Sequence, residues 1–68
     1  MFNAEAWVAQ EIAKHTTPES RAKRLASEIS FRDMLLASPL TRPSSVSVHD
    51  WAESQRSHDL IITALQAV

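Results

Sequence analysis

At 68 residues and a formal charge of −1, the chain has room for one small domain and lacks the basic excess of a strong nucleic-acid binder. It contains no cysteine and no glycine, which excludes disulfides, thiolate metal sites, a cysteine nucleophile and every glycine-rich phosphate loop. Ten of the hydrophobic residues are alanine, so few large apolar side chains remain. A domain this small barely offsets its chain entropy without a staple or a second copy.

Three helices are predicted, at about 3–14, 18–37 and 47–67. They form a single all-α domain over residues 1–68, a helical hairpin or bundle that dimerisation is expected to complete. In the first, Asn3 is a good N-cap and Glu5 lies in the first turn. Wound at the helical period, Met1, Phe2, Glu5, Val8, Ala9 and Ile12 share one broad face. Trp7 then falls on the opposite side with Asn3, Glu11 and Lys14. His15-Thr16-Thr17 before Pro18 stops the helix.

Thr17-Pro18-Glu19 is the clearest signal in the chain, combining an N-cap, a proline at the first helical position and an acid in the first turn. Ala22, Leu25, Ile29 and Leu36 form the stripe of the second helix, and Phe31, Met34 and Leu35 add apolar surface on other sides. Ser38-Pro39 ends it. Residues 38–46 read as a Pro/Ser loop. Ser47 then caps the third helix, with Asp50 in an approximate capping box. Trp51, His58 and Leu65 recur every seven residues, with Ile62 and, at the edge, Ile61 on the same face, whereas Leu60 points elsewhere.

The chemistry-bearing residues do not assemble on paper. His49-Asp50 and His58-Asp59 repeat a His-Asp pair, but a separation of nine residues leaves them half a turn out of phase on one helix. Asp50, Ser54 and His58 stand at i, i+4 and i+8, which puts the acid about 12 Å from the imidazole along the axis. That is too far for a triad. No metal or cofactor and no enzymatic activity are expected. Arg21, Lys23 and Arg24 cluster at the start of the second helix, a possible docking patch for an acidic protein. Residues 21–43 carry +3 and each flank −2, and the pairs Glu19–Lys23, Arg24–Glu28 and Glu28–Arg32 at i,i+4 account for most of that charge within the helix.

No stretch approaches the about 20 apolar residues of a membrane span, and the N-terminus has no signal-like apolar region, so a cytoplasmic location without membrane attachment is expected. The surplus of apolar side chains outside the stripes points instead to contacts with other proteins. The candidate contact residues, with a partner or a second copy, are Trp7, Phe31, Met34, Leu35, Leu40, Trp51, His58, Ile62 and Leu65. The expectation is a non-enzymatic interaction module, a homodimer that regulates or inhibits a larger bacterial-type protein. Phage-encoded inhibitors and antitoxin-like modules share this short helical format. The alternative is a small DNA-associated regulator using the basic start of the second helix from each half of a dimer.

Overall fold

The computed structural model describes residues 1–67. It contains α1 (Ala4–Ala13), α2 (Pro18–Ala37) and α3 (Val48–Ala67), and the described residues contain no strand. Each helix begins on the predicted cap. Asn3 Oδ1 accepts from the Ala6 N–H at 3.0 Å, Thr17 Oγ1 from the Ser20 N–H at 3.1 Å, and Ser47 Oγ from the Asp50 N–H at 3.1 Å. Each oxygen takes up one of the N–H groups that a helix start leaves without an intrahelical acceptor.

The capping box of α3 differs from expectation. Asp50 Oδ1 accepts from the Phe2 N–H at 3.1 Å, so the carboxylate ties the N-terminal segment down instead of closing a local loop on Ser47. This contact sets the course of α1. Phe2 meets Asp50, Glu5 meets Arg56 at 3.4 Å, and Val8 meets Ile61, so α1 runs beside α3 in the same direction. α2 runs the other way along α3, with Leu25 against the Leu65 end and Phe31 against His58. α3 is therefore the shared wall of an all-α bundle.

The interior is small. Val8, Ile61 and Leu65 form the core cluster, and Trp7, Ile12, Leu25, Leu60 and Ala64 pack around it. The molecule measures 38 × 27 × 15 Å, and the thin dimension leaves room for little more than one layer of enclosed side chains. Ile61 is the one large side chain fully enclosed among the described residues, and no residue of α2 is buried.

Three expected faces are corrected by this packing. On α1 the inward residues are Ala4, Trp7, Val8, Glu11 and Ile12, so Trp7 lies beside the core and not opposite it. Met1 and Phe2 precede the cap and have no place on the helical wheel, and including them swung the apparent face away from Trp7. On α2, Ala22 and Leu36 are exposed, while Arg21, Arg24, Leu25, Glu28, Ile29, Arg32 and Leu35 turn toward the other helices. The inward face of α2 is mixed in polarity, which a search for an apolar stripe overlooks. On α3, Leu60 packs against the core because α1 covers a side of the helix that a single seam leaves open.

Candidate functional site

Polar contacts join α1 to α2. Arg24 donates through Nε to Glu28 at 2.7 Å and through Nη1 to Glu11 at 3.0 Å. Its guanidinium also lies 5.9 Å from the centre of the Trp7 ring, within reach of the ring's electron-rich face. Lys14 adds a second cation on Glu11 at 2.6 Å. The Lys14 and then the Arg24 hydrogen bonds hold the Glu11 carboxyl below the usual carboxylate range, against a smaller opposing effect of burial. Burial disfavours the Arg24 charge, and the hydrogen bonds to Glu28 and Glu11 outweigh it, so its pKa is raised. Arg21 donates to the His15 carbonyl at 3.3 Å. Of the basic cluster only Lys23 is left on the open surface. The Glu19–Lys23 and Glu28–Arg32 pairs do not form; Arg32 instead lies 3.5 Å from Asp33.

The other end of the molecule is different in kind. Among the described residues the exposed large hydrophobics are Met1, Phe31, Met34, Leu36, Leu40 and Val48. All but Met1 fall between the last turns of α2 and the first turn of α3. Leu36 and Val48, absent from the sequence-based contact set, are 75% and 70% exposed. The signal for Leu36 was the final turn of α2, which is apolar nearly all round.

Between α2 and α3 at this end lies an open cleft of about 490 Å³, lined by Arg32, Leu35, Leu36, Pro39, Gln55, His58 and Asp59. The Phe31 ring stands 5.2 Å from the His58 ring. Two polar atoms of the lining residues, Arg32 Nε and His58 Nδ1, are enclosed with no hydrogen-bond partner among the described residues. Apolar walls from Leu35, Leu36 and Pro39 thus stand beside the guanidinium of Arg32 and the imidazole of His58.

The expected contact residues divide between these regions. Phe31, Met34 and Leu40 are on the surface, Leu35 and His58 line the cleft, and Trp51 is half-buried. Trp7 is half-buried against the core and Arg24. Ile62 and Leu65, each 4% exposed, are taken up by the chain's own interior and offer no contact surface. The Asp50 carboxylate is engaged by the Phe2 N–H, and His58 Nδ1 has no hydrogen-bond partner among the described residues. Among the described residues no three His, Asp or Glu side chains come together, and no helix is long and apolar enough to cross a membrane. No protein-family model, curated protein or solved structure matches the chain.

Proposed function

We propose that this protein is a non-enzymatic interaction module that binds a larger protein through the α2–α3 end and regulates it by occupying its surface. The concentration of exposed large hydrophobics between Phe31 and Val48 carries this reading. Scattered single apolar residues need no explanation, but five large ones fall between Phe31 and Val48, and Leu36 among them stands on the rim of an apolar-walled cleft. The cleft supplies specificity. Its Leu35, Leu36 and Pro39 walls suit an apolar anchor, and Arg32 and His58 suit an acceptor or carboxylate carried beside that anchor. The basic start of α2 gives no comparable support to a DNA-binding role, because Arg21 and Arg24 are committed within the chain.

Affinity capture from the source cells tests the reading. Wild-type protein should retain one stoichiometric partner, and Leu36→Asp should lose it while keeping its helix content, since Leu36 contributes little to the interior. A partner retained equally by Leu36→Asp and Leu40→Asp would move the contact away from this end.

A further inference from the structure

The outer face of α2 has a second use. Lys23, Ser27, Ser30 and Met34 recur at intervals of four, three and four, the spacing of a helix-pairing seam, with Ala26 and Phe31 beside them. All six are exposed; Lys23, Ala26, Ser27, Ser30 and Met34 lie on the side of α2 turned away from α3, and Phe31 stands at the edge of that side, where its ring also meets His58 of α3. Ala26, Ser27, Ser30, Phe31 and Met34 line a shallow groove on this face.

The geometry points to a second copy of this chain as the occupant, with the two α2 helices packed antiparallel about a two-fold axis between Ser27 and Ser30. In that register Ser27 faces Ser30 of the second copy, with the two Phe31 side chains flanking the seam on one side and the two Ala26 on the other. Lys23 then faces Met34, whose side chain can lie along the aliphatic stem of the lysine. Asp33, next to Met34 on the flank shared with Lys23, comes within reach of the lysine ammonium.

Charge complementarity supports this occupant. Lys23 makes no ion pair within the described residues, and Asp33 has only a 3.5 Å contact with its neighbour Arg32. Two-fold pairing gives each a partner of opposite sign, twice over. Surface area supports it as well. The chain exposes 4723 Å², against roughly 4,300 Å² for a compact monomer of its mass. A face of this 20-residue helix is about 30 Å long, and pairing two such faces removes on the order of 1,000 Å², near the floor for specific interfaces. An interface at that floor belongs with the weaker, reversible associations. It leaves the α2–α3 cleft open, because Arg32, Leu35 and Leu36 point to the other side of α2. It does cover Phe31 and Met34, so the larger partner is left the cleft with Leu36, Leu40 and Val48, which Leu36→Asp and Leu40→Asp probe without touching the seam.

Sedimentation equilibrium decides it, with circular dichroism to check that each variant is folded. Wild type at tens of micromolar should approach twice the 7.6 kDa chain mass. Lys23→Asp alone and Asp33→Lys alone should each raise the dissociation constant about tenfold, by placing like charges together. The double variant K23D/D33K should restore association, because each new aspartate then faces a new lysine across the axis. The chain has no cysteine, so register can be read separately. A mixture of Ser27→Cys and Ser30→Cys chains should cross-link to the heterodimer faster than either alone. A 7.6 kDa species throughout, or a double variant as weak as the single ones, would overturn the inference.

Discussion

Arg24 and Glu11 show how much of this small fold rests on polar side chains. Arg24 is only 22% exposed and holds two carboxylates and an aromatic face at once, so ordering its side chain serves three contacts. Glu11 gives the fold a pH dependence whose sign can be worked out. Its folded pKa lies below the unfolded value of about 4.3, so the unfolded chain takes up the proton more readily. The stabilisation is present above the unfolded pKa and is lost as pH falls through the folded one. Glu53, lowered by its hydrogen bond to Arg56, acts in the same direction. Thermal melts from pH 6 to pH 3 should therefore show Glu11→Gln losing less stability than wild type. Equal losses in both would mean that Glu11 does not hold α1 to α2.

The helices themselves are bounded by local chemistry. Thr17 in extended conformation, its oxygen on the Ser20 N–H and Pro18 at the first helical position start α2 whatever the helix later packs against. Thr17→Ala should cost about 1 kcal/mol in chemical denaturation, with an unchanged denaturant dependence. A negligible change would show that the fixed φ of Pro18 suffices. α2 also shows where helix-level reading stops. Its inward face includes Arg21, Arg24, Glu28 and Arg32, so an apolar stripe is not what faces α3. Leu36, placed on the stripe by periodicity, is exposed because the α2–α3 cleft opens beside it.

The bundle as a whole depends on one small interior. Because Val8, Ile61 and Leu65 are its buried cluster, Ile61→Ala should cost about 2–5 kcal/mol, much of the stability a domain of this size commands. Trp7→Ala should also lower the melting temperature, because the ring packs on that cluster and under Arg24. A Trp7→Ala protein with unchanged stability and weakened binding would return Trp7 to the contact surface. The α2–α3 end contributes little to this interior, which is why substitutions there are expected to separate binding from folding.

Helix number, helix limits and the all-α class were legible in the sequence because caps, prolines and the absence of glycine act within a few residues of themselves. Asn3, Thr17 and Ser47 each cap with a side chain three residues from the N–H it satisfies. The apolar surplus near Phe31 and Met34 was legible for the same reason, being a matter of local composition. Orientation was not. Trp7 turned inward because Asp50 holds Phe2, 48 residues before it, and α1 is laid along α3. Ile62 and Leu65 left the contact set, and Leu60 joined the packing, once α3 became a wall shared by two helices. A helix presents every side of its surface to its surroundings, and which sides are covered is decided by neighbours that arrive from elsewhere in the chain.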